Sequence, residues 1–198
     1  TDDTAAIQAA VNSLAHTGGT VLMQGDFVSG NINFPTIAGW ITIKVYGNWR
    51  LTETLVIPPL VKLSGQGGAN AYVQFSRHPQ ARLISPPGDT PTIKLTGMDP
   101  KIVENILISG SAGKAILLQN GALATLDNIS VQSADVSTAY PLVIDAFFWV
   151  WIRNSIFASP KNAQESIYIL QPRLVFRWAC SLELLKYEIL LLLVGGLK

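Results

Sequence analysis

The feature that most restricts the fold of this chain is a short pattern that recurs three times in its second half. The three copies are VENILISG at 103–110, LDNISVQS at 126–133 and IRNSIFAS at 152–159. Their asparagines are separated by 23 and then 26 residues, and the three are Asn105, Asn128 and Asn154. A self-similar period of this length is typical of one coil of a β-solenoid, in which each coil buries its apolar face against its neighbours.

The asparagine in each copy predicts a ladder of side-chain amides along the solenoid. An asparagine side chain can bond its own turn and the equivalent amide one coil away, and a buried amide needs such partners. The alternative is that asparagine is simply common in turns. The 26-residue offset also places the aliphatic run 115–118 opposite 141–144 and Leu126 opposite Ile152, which favours the ladder.

From Thr20 onward, short β-branched and aliphatic runs alternate with Gly, Asn, Pro and Ser, which predicts an all-β architecture. The predicted strands are 20–23, 41–46, 55–57, 61–64, 92–96, 106–109, 115–118, 129–132 and 142–144. Between two of them, Gly65 to Pro87 has turn residues at both ends and predicts an excursion from the coil, where binding loops often lie.

The first ten residues, TDDTAAIQAA, predict a short helix. The carboxylates of Asp2 and Asp3 can accept from the free N–H groups at its start and suit the positive end of its dipole. Ile7, Val11 and Leu14 lie at helical spacing on one face, and Gly18-Gly19 predicts the left-handed stop. The apolar stripe indicates that the helix covers another element.

Together, the opening helix, the glycine-rich strand entry GGTVLMQGDF at 18–27 and the asparagine repeat resemble the pectin-lyase-like proteins. The resemblance covers about residues 1–170. It implies a right-handed, single-stranded parallel β-helix with a short N-terminal capping α-helix. It further implies a secreted or cell-surface protein that acts on polysaccharide as a lyase or glycoside hydrolase, with Ca²⁺ as a possible cofactor. Tailspikes and surface proteins share the fold, so the fold alone does not choose among these functions.

Residues 171–198 depart from the repeat and end in a Leu-rich stretch. Two interpretations stay open for this tail: a helix that caps the open end of the solenoid, or sequence that follows the authentic reading through a frameshift or fragment boundary. In the second case the chain is a truncated β-helix, an incomplete fragment whose catalytic coils lie elsewhere.

Composition excludes several other classes. The 198 residues are 48% hydrophobic and 14% charged, which suits one folded domain. A net charge of +1 gives no footprint for nucleic acid, and the Leu-rich run is too short to span a membrane. Cys180 is the single cysteine, and His16 and His78 lack metal-ligand spacing, so no metal site is predicted. The residues show no signal-peptide pattern and leave the oligomeric state open.

The acidic and basic motifs that the resemblance implies for lyases and hydrolases are not found in the sequence. The best remaining candidates for catalysis are Glu104, Asp127 and Arg153, each directly before its ladder asparagine. Stacked strands lie about 4.8 Å apart, so these side chains could form a carboxylate pair beside a cation. The alternative is a solvated edge of paired charges, since such pairs are common. Asp135 and Asp145 are further candidates for a metal ligand or an acid, with turn chemistry as their alternative.

The segment AFFWVWIRN at 146–154 concentrates large aromatic residues. On a regular strand Phe147, Trp149 and Trp151 share one face. If that face points outward, Trp149 and Trp151 can stack on sugar rings, and polysaccharide is the predicted partner. The alternative is packing against an inserted loop or the C-terminal segment. The chain is therefore predicted to be either a polysaccharide-degrading enzyme or a non-catalytic binding or structural module, with the fragment without activity as a third possibility.

Overall fold

The structure is a computed structural model that describes residues 1–36, 39–66, 81–111, 114–133, 140–158 and 167–170. These residues form one helix, α1 (Thr4–Asn12), and thirteen strands. The strands are β1 (Gly19–Gln24), β2 (Phe27–Ser29), β3 (Ile41–Tyr46), β4 (Asn48–Leu51), β5 (Leu55–Ile57), β6 (Val61–Gly65), β7 (Arg82–Ile84), β8 (Ile93–Gly97), β9 (Lys101–Ser111), β10 (Ile116–Ser133), β11 (Leu142–Arg153), β12 (Ile156–Ala158) and β13 (Ile167–Leu170).

All strand pairs among these residues are parallel, and they stack into three sheets that wind as a solenoid of about five turns. Sheet one contains β5, β8, β13 and the first parts of β10 and β11. Sheet two contains β1, β3, β6 and parts of β9, β10 and β11. Sheet three contains β2, β4, β7, β12 and the later parts of β9 and β10. The predicted parallel β-solenoid with a short N-terminal helix is confirmed.

The long strands bend at the boundaries between sheets, which we name the first corner (sheet one to two), the second corner (two to three) and the third corner (three to one). The predicted alignments are confirmed, because Asp127 pairs with Glu104 on one side and Arg153 on the other. Eight positions separate Ile116 from Ala124 across the first corner, and eight also separate the equivalent residues of β11. The step from 23 to 26 residues is therefore taken up at the third corner.

The interior is filled by one side chain per coil from each inward position, because alternate residues of a strand point to opposite faces. Sheet two contributes a fully buried column of Ile43, Leu63, Val103 and Leu126. Among the described residues, the largest fully buried side chain is Trp49 of sheet three, which donates its indole N–H to Ser29 Oγ at 2.8 Å. A continuous apolar core of this kind supplies the hydrophobic stabilisation of the fold, at about 25 cal/mol per Å² buried.

Helix α1 packs its predicted face on the first coil, with Ile7 and Val11 buried and Leu14 packed against the core. The α-helix ends at Asn12, earlier than the glycine signal predicted. A tight turn then leads to Gly18, which has a left-handed φ of 66° and donates its N–H to Leu14 O. Within this turn, backbone N–H groups donate to carbonyls three residues earlier in the chain. This is the 3₁₀ pattern, and it replaces the α-helical hydrogen bonds.

The two predicted capping carboxylates have different partners. Asp2 Oδ1 accepts from the backbone N–H of Thr4 at 2.9 Å and from the Thr4 hydroxyl. These bonds hold the pKa of the Asp2 carboxyl below its usual range. Asp3 occupies the N-cap position, but its side chain makes no capping bond to the helix. Its carboxylate accepts instead from Val28 N at 3.0 Å, while its own N–H donates to Val28 O, which ties the helix start to β2.

Several short strands lie outside the sequence prediction. They include β2, β4 and β7, which have three or four residues each and belong to sheet three. β7 falls inside the predicted excursion of 65–87, so part of that segment belongs to the coil. Residues 67–80 of the excursion and the tail 171–198 lie outside the described residues, and the predictions made for them stand as they were.

Candidate functional site on the outer face of sheet two

The outer face of sheet two carries two columns of side chains, each with one residue per coil. The first column is Thr20, Thr42, Lys62, Ile102, Thr125 and Trp151, and the second is Leu22, Lys44, Ser64, Glu104, Asp127 and Arg153. We call the second the charged column. It contains all three residues predicted as catalytic candidates, so the parallel register brings Glu104, Asp127 and Arg153 side by side.

Glu104 is held by residues of the preceding coil. Its Oε1 lies 2.8 Å from Lys62 Nζ and accepts a hydrogen bond from Ser64 Oγ, also at 2.8 Å. Ser64 is buried, and the Glu104 and Lys62 side chains are about one quarter and one third exposed. The carboxylate is thus fixed against the sheet while part of it faces solvent.

Asp127 is held by residues of the following coil. Its Oδ2 lies 3.2 Å from an Arg153 guanidinium nitrogen, and its Oδ1 accepts from Asn154 Nδ2 at 3.1 Å. Each carboxylate therefore has its own cation, which is the paired-charge arrangement considered as the alternative for this column. An ionised carboxylate offers about four lone-pair sites, so both groups can still accept hydrogen bonds from a hydroxylated ligand.

Trp151 lies in the first column at the C-terminal end of the same face, and Trp149 lies beside it at the first corner; 50% and 59% of their surfaces are exposed. Trp151 neighbours Thr125 in its column. The prediction that Phe147 shares their face is wrong, because Phe147 is buried. Ala146 and Trp149 both have left-handed backbone, with φ of 49° and 51°, and these two residues break the strand alternation at the first corner.

The three ladder asparagines occupy the second corner, all with left-handed backbone at φ of 55°, 53° and 50°. Asn128 Nδ2 donates to Asn105 Oδ1 at 2.8 Å, the contact expected between neighbouring rungs. Asn154 Nδ2 donates to Asp127 Oδ1, and this hydrogen bond links the ladder to the charged column.

The remaining candidates lie apart from this face. Asp145 is in sheet one, where its Oδ2 accepts from Gln119 Nε2 at 2.8 Å, and His16 is exposed after α1. Asp135, His78 and Cys180 lie outside the described residues. Within the part of the chain that the structure describes, no group of three or more His, Cys, Asp or Glu could hold a metal ion. With nine residues, the described helix is too short to cross a bilayer.

A buried lysine was missed by the sequence reasoning. Lys101 is fully buried at the first corner, and its Nζ donates to Gly97 O and Ala122 O, each at 2.7 Å. The ammonium lies 5.1 Å from the centre of the Phe147 ring. Burial lowers the pKa of Lys101 to about 8, while Asp99 acts in the opposite direction. The signal in the sequence for a buried lysine was the alignment of Lys101 with Ala124, the apolar residue at the same position of the next coil.

The fold and the site define a parallel β-solenoid with a charged and aromatic outer face. No protein-family model and no curated protein matches the chain. Among solved structures, it is similar to the crystal structure of a putative glycosyl hydrolase from Parabacteroides merdae, with a TM-score of 0.60 and 12% sequence identity. The match covers 86% of this chain and 87% of that one. At this identity the likeness shows a shared fold.

Proposed function

We propose that the protein is a glycan-binding member of the pectin-lyase-like proteins and that the outer face of sheet two is its binding face. The observation that carries the proposal is the exposure of Trp151, in the column next to the charged column, and of Trp149 at the adjoining first corner. Large aromatic side chains are usually well buried, and exposed ones mark interaction sites. The flat face of an indole ring complements the C–H face of a pyranose.

Polar groups next to the tryptophans supply the hydrogen bonds that a sugar requires. Thr125 neighbours Trp151, while Asp127 and Arg153 follow in the charged column. The ion pair fixes these last two side chains, so less conformational entropy is lost when they bind hydroxyl groups. The solenoid fold shared with the Parabacteroides merdae protein adds support, because that protein is described as a putative glycosyl hydrolase. The proposal includes a secreted or cell-surface location, where such polymers occur.

A second candidate function is glycoside hydrolysis by Glu104 and Asp127. The observation that favours it is their direct pairing on neighbouring strands, which sets two carboxyl groups on one face. In a hydrolase of this kind, one carboxyl group protonates the glycosidic oxygen and the other activates water or attacks the sugar. Binding to the tryptophans would be shared by both functions.

The binding proposal is tested with the full chain on a glycan array, followed by titration calorimetry of the best ligands. The double variant Trp149→Ala/Trp151→Ala is expected to lose at least about tenfold in affinity, since two stacking surfaces are removed. Arg50→Ala is the control, because it truncates an exposed side chain of sheet three, outside the proposed binding face. Unchanged affinity in the double variant, or no glycan bound by the native chain, would contradict the proposal.

The same ligands test hydrolysis by release of reducing ends. If the second candidate is correct, Glu104→Gln and Asp127→Asn each abolish release while binding persists. Absence of release from every glycan that binds would exclude hydrolysis and leave the binding function intact.

A further inference from the structure

An apolar stripe runs along the first corner, with one residue from each of five coils. Its members are Trp40, Leu60, Pro100, Leu123 and Trp149, and we call this set the corner stripe. Backbone bonds set its order at one end, where Leu60 N donates to Pro100 O at 2.8 Å. Strand pairing sets it at the other, since Ala124 pairs with Lys101 and with Val150, the residues that follow Pro100 and Trp149.

The corner stripe faces outward along its length. Trp40 is 38% exposed and Trp149 is 59% exposed at the two ends, Pro100 is exposed, and Leu60 and Leu123 are half-buried. At its C-terminal end the stripe is continuous with the candidate binding face, because Trp151 follows Trp149 two positions along the chain. The stripe therefore extends an aromatic site rather than forming a separate patch.

Three members of the stripe have left-handed backbone: Leu60, Leu123 and Trp149, with φ of 60°, 60° and 51°. For bulky side chains this conformation is a genuine outlier, because Cβ crowds the following carbonyl. Glycine or asparagine would avoid the strain, and the second corner uses asparagine for this purpose. Large side chains kept at strained, outward positions in three coils point to a function, since backbone strain concentrates at binding sites.

The charges beside the stripe suit an uncharged, hydroxyl-rich ligand. The neighbouring column presents the hydroxyls of Thr42 and Thr125. The cations Lys62 and Arg153 are each paired with a carboxylate, so neither is free to neutralise an acidic sugar. Lys44, the third cation of this face, lies in the charged column and so farther from the corner than the threonines. The coil rise of about 4.8 Å is close to the length of one pyranose in an extended chain.

We propose that the corner stripe is a track for an extended chain of neutral pyranose residues, lying parallel to the solenoid axis with one sugar per coil from Trp149 to Trp40. The inference rests on the proposed glycan-binding function and names its substrate class. Trp149 and Trp40 stack on the sugars at the two ends, while Leu60, Pro100 and Leu123 contact the apolar edges of those between.

The first test is a length series measured by calorimetry with the full chain. The probes are cello-, manno- and xylo-oligosaccharides of increasing length, with oligogalacturonides as the acidic series. Affinity for a neutral series is expected to rise with length up to roughly one sugar per coil of the stripe. Trp40→Ala is expected to weaken the longest probes at least about tenfold and to leave disaccharides unchanged, because only long chains reach Trp40.

The second test uses Trp149→Asn. Asparagine tolerates left-handed backbone, so the variant removes the indole without adding backbone strain. A binding role predicts an unchanged or raised melting temperature together with at least about tenfold weaker binding. A lowered melting temperature with native affinity would assign Trp149 to packing and overturn the track.

The outcomes separate the two proposals. Affinity that does not depend on length, or equal effects of Trp40→Ala on short and long probes, overturns the track and leaves glycan binding intact. Tighter binding of oligogalacturonides than of every neutral series overturns the neutral substrate class. Failure of all probes, together with a glycan array on which nothing binds, overturns the proposed function itself.

Discussion

The first and second corners of the solenoid meet the same backbone requirement in different ways. Both need residues with left-handed φ so that the chain can turn between sheets. The second corner uses Asn105, Asn128 and Asn154, which adopt this conformation with little strain, and Asn128 donates to the neighbouring Asn105. The first corner has left-handed backbone at Gly97, Asn120 and Ala146, and again at Leu60, Leu123 and Trp149, which occupy equivalent outward positions. The second corner is thus organised for stability, and the first accepts strain to present apolar side chains.

The difference also decides where each corner finds its hydrogen-bond donors. Asparagine amides supply donors at the second corner, whereas leucine and tryptophan cannot form a ladder. At the first corner the donor comes from inside, because Lys101 bonds the carbonyls of Gly97 and Ala122 on neighbouring coils. A buried lysine is unfavourable unless it is hydrogen-bonded. These two bonds give the ammonium its acceptors and give two carbonyls at the corner a donor.

The largest effect is expected where the second corner is tightest. A Cβ at Gly65 would lie 2.0 Å from Asn105 O and 2.6 Å from Ala81 Cβ. Gly65→Ala therefore forces apart the two neighbouring coils that contain Gly65 and Asn105. Overpacking of this kind is expected to lower the free energy of unfolding by about 3 kcal/mol. Chemical denaturation measures the loss. Gly30→Ala is the control, since its nearest contacts are at 3.6 Å, and an equal loss there would refute the explanation.

A smaller effect, on pH dependence, is expected from Lys101→Met at the first corner. The pKa of Lys101 is lowered from 10.5 to about 8, so between these values the unfolded chain binds more protons than the folded one. Stability of the native chain should therefore rise with pH across this window. The neutral amine still has two N–H donors for its carbonyl partners.

Melting temperatures of the native chain and of Lys101→Met, measured from pH 7 to 10.5, test this difference. The variant should lack the rise. Parallel profiles for the two proteins would show that Lys101 does not change its protonation in this window.

The smallest effect concerns a single rung of the ladder. Asn128→Ala removes the bond to Asn105 Oδ1 and is expected to cost about 1 kcal/mol of unfolding free energy. Asn120→Ala serves as the matched control, because Asn120 is exposed with a similar φ of 51° and lies outside the second corner. Denaturation midpoints should fall further for Asn128→Ala. Equal losses would show that backbone conformation, and not the rung, accounts for the effect.

Periodicity predicted the fold and the register well, because Asp127 and its strand neighbours lie at regular intervals in the sequence. The contacts of Glu104 were not predictable in the same way. Lys62 and Ser64 come from a coil about forty residues earlier, across a segment that breaks the period. The sequence also did not predict that Trp149 is exposed while Phe147 is buried. Strand alternation assumes extended backbone, and the first corner departs from it.

The third corner takes up the step in length between the two last complete coils, while the first corner spans the same number of residues in both. The longest insertion lies at the second corner, because β6 ends at Gly65 in sheet two and β7 begins only at Arg82 in sheet three. The strands on either side of both corners keep their parallel register, so added chain length does not disturb the sheets. The sheets of this scaffold must keep their dimensions, and its corners are the places where new loops can be grafted.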